Sequence, residues 1–224
     1  MFPPVLDAEP DGPVVLGGDL QPGTLLAAYR AALFPMPVGR RRLGWWSPDP
    51  RCIIPVGPVA ASAGTGLHVS RSLRRSLHRF SVTVDQDFEA VMRACGDARR
   101  PNGWITEEFV DAYSRLHDMG WAHSVEVRSD DHLVGGLYGV SIGAFFAGES
   151  MFHHTTDASK AALVHLCRMF DDVQDALFDV QWLTPHLASL GAIEIPRTRY
   201  VELLGVAVAS PIDPFGPGTG DAGV

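Results

Sequence analysis

Hydrophobic and polar positions along this chain switch repeatedly between two spacings. Apolar residues fall at helical intervals in "TLLAAYRAALF" (24–34), "DFEAVMRACG" (87–96), "TEEFVDAYSRLHDMG" (106–120) and "DASKAALVHLCRMF" (157–170). The third of these opens with a Thr N-cap and two acids in its first turn and closes on Gly. Strand patterns occupy "FSVTV" (80–84), "WAHSVEVR", "HLVGGLYGV", "AFFAGESMF" (144–152) and residues 177–182. The polar turn Ser129–Asp131 joins the second and third of these strands as a hairpin. The strand at 144–152, the helix at 157–170 and the strand at 177–182 predict two parallel strands with a right-handed crossover.

The flanking regions read differently. Residues 1–22 look irregular, and "FPMPVGRRRLGWWSPDPR" (34–51) has loop chemistry, with four prolines and two glycines. "VGPVAASAGTG" (56–66) is small and flexible enough for a linker. "LHVSRSLRRSLHRF" predicts a short strand and then a helix. Its Arg71, Arg74, Arg75 and His78 form one basic face at i, i+3, i+4 and i+7. "TPHLASLG" and "PRTRYVELLG" read as short helices ended by Gly, with Pro196 at a first helical position. Residues 206–224 are Pro/Gly-rich, an expected disordered tail. The expectation is an α+β chain with an α/β-type unit: a small N-terminal domain (1–60), a larger domain with a mixed sheet (61–205) and the tail.

Composition narrows the class. The chain has 224 residues, 46% of them hydrophobic, which suits a globular protein. No apolar run approaches the roughly 20 residues of a membrane span, and the start "MFPPVLDAEPDG" lacks the pattern of a signal peptide. Three isolated cysteines, Cys52, Cys95 and Cys167, argue against a disulfide scaffold or zinc cluster and fit a reducing cytoplasm. The net charge is −8, but residues 30–100 carry 12 of the 18 basic residues and 5 of the 26 acidic ones. All twelve are Arg, the better fork for phosphate, so an acidic protein can present a local basic surface to nucleic acid.

Two apolar strands carry unexpected polar residues. Asp179 and Gln181 interrupt "LFDVQW", and strict alternation sets them on one face. On the preceding parallel strand, alternation puts Phe145, Ala147, Glu149 and Met151 together. Each polar residue alone reads as a satisfied strand or helix cap. Three of them near the C-terminal ends of neighbouring parallel strands point to one crevice. His153, His154 and Asp157 lack metal-ligand spacing, and no serine or cysteine lies in a nucleophile motif, so no metal, cofactor or covalent catalysis is expected.

The segments "GWWSPDPR", "LHVSRSLRR", "WIT…AYSRLHDMGWAHSVEVR…LVGGLYGV", "GESMF", "ASKAAL", "DVQ" and "HLASLGAIEIPR" occur in one order over about residues 15–204. In these the chain resembles the leucyl/phenylalanyl-tRNA–protein transferase family. The resemblance implies a C-terminal domain of the GCN5-related acyltransferase fold. It implies transfer of Leu or Phe, and Met less well, from aminoacyl-tRNA to proteins beginning with Arg or Lys, for bacterial N-degron degradation. It places Asp179, Gln181 and Glu149 at the reaction centre: Gln181 holding the amine, Asp179 orienting it or drawing off the proton through water. It puts Phe146, Met151 and Phe178 around the donor side chain, and Trp104, Tyr113 and Trp46 with the aminoacyl-adenosine. Arg71, Arg74 and Arg75 would hold acceptor-stem phosphates. A cleft lined by Glu149 and Asp179 would favour a cationic acceptor. The chain departs from the family pattern at Met36, where an aromatic is frequent, and at Phe178, where a smaller aliphatic is common. The rival readings are a CoA-dependent N-acetyltransferase of the same fold, disfavoured because "HHTTDASK" lacks the glycines of a pyrophosphate turn, and a non-catalytic RNA-binding module.

Overall fold

The computed structural model describes residues 2–39, 42–58, 60, 65–99 and 103–216. Among them ten strands form two sheets. Strands β1 (Pro13–Leu16), β2 (Phe34–Val38) and β3 (Arg42–Trp46) make a small antiparallel sheet in the order β1-β3-β2. The loop expected over 34–51 is therefore mostly a hairpin. Its prolines misled because β2 is an edge strand, where Pro35 and Pro37 forfeit no ladder bond on their open side.

The larger sheet contains β4 (Arg51–Ile54), β5 (Ser81–Val84), β6 (Ala122–Ser129), β7 (His132–Ile142), β8 (Phe145–His153), β9 (Leu177–Gln181) and β10 (Ile193–Ile195). Their spatial order is β10-β4-β9-β8-β7-β6-β5. The predicted hairpin is β6–β7, turned by Asp130 and Asp131 at φ 49° and 62°. The predicted crossover is also present: β8 and β9 pair in parallel, and the other described pairs are antiparallel. The sheet is thus mixed.

Among the described residues, helices covering both faces include α1 (Pro22–Arg30), α2 (Arg71–Leu77), α3 (Phe88–Cys95), α4 (Glu107–Asp118), α5 (Ala158–Met169), α6 (Pro185–Ser189) and α7 (Arg197–Ala209). One core gathers α1, α3, α4 and α7 against Ile53, Phe145, Ala147 and Leu177. The other gathers α2, α5 and α6 against Cys52, Ile54, Phe146 and Phe178. These two apolar layers bury the central strands from both faces.

Three boundaries differ from expectation. The segment expected to close the N-terminal domain by residue 60 supplies β4 to the large sheet, between β10 and β9, because "RCII" is buried throughout. The helix from 197 passes through Gly205 to Ala209, with Pro196 as its N-cap. Phe215 beyond it packs on other rings. The tail thus begins later than residue 206, and 217–224 lie outside the described residues. "LHVS" forms no strand, and most of the 60–64 stretch of the expected linker lies outside the described residues.

Candidate active site

Parallel pairing of β8 with β9 runs Phe145↔Leu177, Phe146↔Phe178 and Ala147↔Asp179, and stops there. Just beyond, each strand slips against its antiparallel neighbour. On β8, Tyr138 pairs Ser150 while Gly139 pairs Gly148, so Glu149 is the extra residue of a bulge. On β9, Cys52 pairs Gln181 while Ile53 pairs Asp179, so Val180 is extra. Bulges bend a strand and re-aim its side chains. A crevice opens between the two strand ends, and Glu149 and Gln181 both line it.

The bulge at Glu149 also corrects the strand face read from alternation. Phe145, Ala147 and Phe152 lie in one core, while Phe146 and Phe178 lie in the other with Met151 packed against them. Met151 therefore does not share a face with Phe145 and Ala147.

Asp179 is completely buried. Its carboxylate accepts from Arg51 Nε at 2.8 Å, Arg51 Nη2 at 2.6 Å, Tyr200 Oη at 3.0 Å and the backbone N–H of Gln181 at 3.0 Å. Arg51 is 1% exposed, lies over the rings of Phe34 and Tyr200 at 4.7 and 4.4 Å, and donates to the Ala32 carbonyl. This is a paired, fully bonded buried charge, the only kind a dry interior tolerates. Asp179 lines neither of the two cavities at this site. Its bond to the Gln181 N–H leaves it as an anchor for that residue.

Gln181 takes φ 61°, and the Trp182 N–H donates to the Val180 carbonyl across it at 2.8 Å. A left-handed non-Gly residue is sterically costly and persists where surrounding contacts impose it. Its side-chain Nε2 is buried with no partner among the described residues. A buried amide N–H₂ without an acceptor is costly unless a ligand supplies one.

Glu149 accepts from Tyr29 Oη at 2.8 Å and Tyr113 Oη at 3.4 Å, and the two phenols are themselves hydrogen-bonded. Burial pushes its carboxyl up to about 8; the Tyr29 hydrogen bond opposes this, and the charge of Asp179 adds to it. Burial also raises both phenols well above their ordinary value, so they remain donors. Burial thus favours the neutral form of Glu149, while Asp179 is paired with Arg51. This corrects the expected cleft of two bare carboxylates.

Two cavities meet at these residues. One, of about 430 Å³, is lined by Phe34, Met36, Trp104, Glu149, Gln181 and Trp182. The other, of about 240 Å³, is mainly apolar, with Leu137, Met151, Leu163, Phe178 and Val180 beside Glu149 and Gln181. Met151, Phe178 and Trp104 line these cavities. Phe146 does not: it is fully buried, edge-on to Phe178 at 5.4 Å. Tyr113 is likewise buried and reaches the site through Glu149. Trp46 stands behind Trp182, edge-on at 6.0 Å. Arg71, Arg74 and Arg75 are exposed on α2, with buried Leu73 fixing the helix and no ion pair to another described residue.

Sequence reasoning missed Arg51, Tyr29, Tyr200 and Trp182. The signal for Arg51 was a lone charge heading the apolar run "RCII". Trp182 was visible as the aromatic following Gln181, and it is 38% exposed at the cavity wall.

Residues 63–205 match the model of the leucyl/phenylalanyl-tRNA protein transferase family, and residues 18–49 match the model of that family's N-terminal domain. A leucyl/phenylalanyl-tRNA–protein transferase of Aromatoleum aromaticum is 48% identical over 205 residues, spanning 89% of this chain and 83% of its own. That of Tolumonas auensis is 46% identical over 200 residues, spanning 88% and 82%. That of Anaeromyxobacter sp. strain K is 46% identical over 215 residues, spanning 94% and 89%. With both family models matched and relatives this similar over most of their length, the chain belongs to the leucyl/phenylalanyl-tRNA protein transferase family, a family of aminoacyltransferases.

Proposed function

We propose that this enzyme transfers Leu or Phe, and Met less well, from aminoacyl-tRNA to the α-amino group of proteins beginning with Arg or Lys, marking them for N-degron degradation in the cytoplasm. The larger domain is read as a GCN5-related acyltransferase fold. The observation that carries the reading is the meeting of Glu149 and Gln181 where a large cavity adjoins a small apolar one. The apolar cavity suits the donor side chain, and the larger one, with Trp104, Met36 and Trp182, suits the terminal adenosine.

The reaction forms a C–N bond and breaks the ester C–O bond to the ribose. The attacking amine must be neutral, it loses one proton, and the departing ribose oxygen gains one. An amide oxygen is too weakly basic to take that proton, so Gln181 acts as a positioner. Its Oε1 accepts from the amine, and its free Nε2 donors face the ester oxygen on which charge develops. Asp179, clamped by Arg51, fixes the Gln181 backbone, and alignment supplies much of the acceleration. Glu149, neutral when the site is empty, ionises again beside an arriving cation. The Arg71, Arg74 and Arg75 face supplies sequence-tolerant phosphate contacts.

The test is incubation with radiolabelled Leu-tRNA and a casein fragment beginning with Arg. Label in the Arg-started peptide but not in an Ala-started one is expected. No label in either overturns the proposal.

A further inference from the structure

The segment after α7 returns to the large sheet and ends a row of rings that leads to the apolar cavity. Phe215 stacks on His123 with centroids 4.0 Å apart and planes 10° from parallel, and on Phe146 at 5.5 Å and 27°. Phe146 meets Phe178 edge-on at 5.4 Å, and Phe178 lines the 240 Å³ cavity. Phe170 closes the row from the side, 6.3 Å from Phe146 and 6.4 Å from Phe215.

The far end of this row is fixed. His123 Nδ1 is 2.6 Å from Asp85 Oδ2, and the other oxygen of that carboxylate accepts the Ser124 N–H at 2.8 Å. The imidazole is 8% exposed, so it forms a rigid platform under Phe215. The near end has no slack either. A Cβ on Gly148 would stand 3.0 Å from Phe178 Cε2, and one on Gly139 would stand 2.5 Å from Phe146 Cζ. Aromatic side chains in so close-packed a row have one arrangement, and removing one lets its neighbours move back.

We infer that Phe215 is a positioning residue for donor selectivity. From outside the cavity, through Phe146, it holds Phe178 forward and so limits the size of the side chain accepted. The inference rests on the apolar cavity being the donor side-chain site. Phe215 touches no substrate. Its removal should let Phe146 and Phe178 retreat, enlarging the cavity and favouring the larger Phe donor over Leu.

The test compares kcat/KM for Leu-tRNA and Phe-tRNA in the full-length protein and in Phe215→Ala, Phe215→Tyr and Phe178→Ala. In Phe215→Ala the Phe/Leu ratio should rise by roughly five-fold or more, a modest part of the range a pocket methylene commands. The change should lie in KM, and Phe215→Tyr, which keeps the ring, should return the ratio to the parent value. If Phe178→Ala shifts the ratio and Phe215→Ala does not, the inference fails while the cavity reading stands. If neither shifts it, the cavity reading itself fails. A Phe215→Ala protein that loses both activities equally, with a lowered Tm, also overturns the inference, because that is what a purely structural ring would do.

Discussion

Arg51 and Asp179 offer the sharpest test of the site's construction. They are 1% and 0% exposed, and two N–H···O bonds of 2.8 and 2.6 Å join them. Removing one partner of such a pair strands the other charge in the interior, at a cost of about 3–5 kcal/mol. Asp179→Leu and Arg51→Met should each lose stability of that order. The double variant strands no charge, so its loss should fall far below the sum of the two single losses, to less than either alone. Urea unfolding at constant m reads this directly. Activity should behave differently. In the double variant the Gln181 N–H has lost its acceptor at 3.0 Å, and misplacing a catalytic group by about 1 Å costs on the order of 100-fold in rate. Stability should therefore largely return while leucyl transfer stays low. Asp179→Asn combined with Arg51→Met retains an acceptor for Gln181 and should recover part of the rate. Additive stability losses would refute the buried pair. Transfer restored together with stability in the Leu/Met double variant would refute the anchoring role of Asp179.

Four further outcomes follow. Glu149 titrates near 4.5 unfolded and about 8 folded, so between those values only the folded state holds the proton, and stability falls as pH rises through that window. Glu149→Gln should accordingly gain on the parent in urea midpoint from pH 5 to pH 9; a constant difference would contradict the raised pKa. Gly148→Ala places its Cβ 3.0 Å from Phe178, forcing that ring into the apolar cavity, so KM for the Leu donor should rise with little change in Tm; an unchanged KM would count against the cavity reading. Alanine at Arg71, Arg74 and Arg75 should flatten the dependence of log KM on log salt by about 1 per arginine, with kcat retained; an unaltered slope would remove α2 from the tRNA contact. Gln181→Gly should relieve a left-handed side chain and an unpartnered buried amide, raising stability by about 1–2 kcal/mol while abolishing transfer; a destabilised variant would mean the strain was misread.

Much of the larger domain was legible because its elements obey simple periods. The hairpin β6–β7 and the crossover β8–α5–β9 follow from alternation, turn residues and helix length. The N-terminal sheet was not legible, because prolines signal a loop unless the strand is known to be an edge, and that is a tertiary fact. The assignment of β4 to the large sheet was hidden for a similar reason: four buried residues carry no mark of which sheet buries them. At the site, the residue types were readable and their directions were not. Glu149, Asp179 and Gln181 announce themselves as polar residues in apolar strands, yet alternation put Met151 on the wrong face because β8 bulges at Glu149. Arg51, Tyr29 and Tyr200 reach the site from distant segments, and one sequence contains no record of such pairings.

The two bulges explain why this site lies where it does. Had β8 and β9 continued in register past Ala147 and Asp179, their side chains would have stayed committed to the two cores. Slipping one residue on each strand releases Glu149 and Gln181 from those layers at the same level of the sheet, two residues beyond the last parallel pair. The released backbone must then be held by something other than the ladder. On β9 that is the Asp179 carboxylate, itself held by two hydrogen bonds from Arg51. On β8 the Glu149 side chain is tied to Tyr29 of α1 and Tyr113 of α4. The N-terminal segment thus completes the site in two ways, with Arg51 under β9 and Tyr29 under β8. Helix α1 and strand β4 are as necessary to the geometry of Glu149 and Gln181 as the strands that carry them.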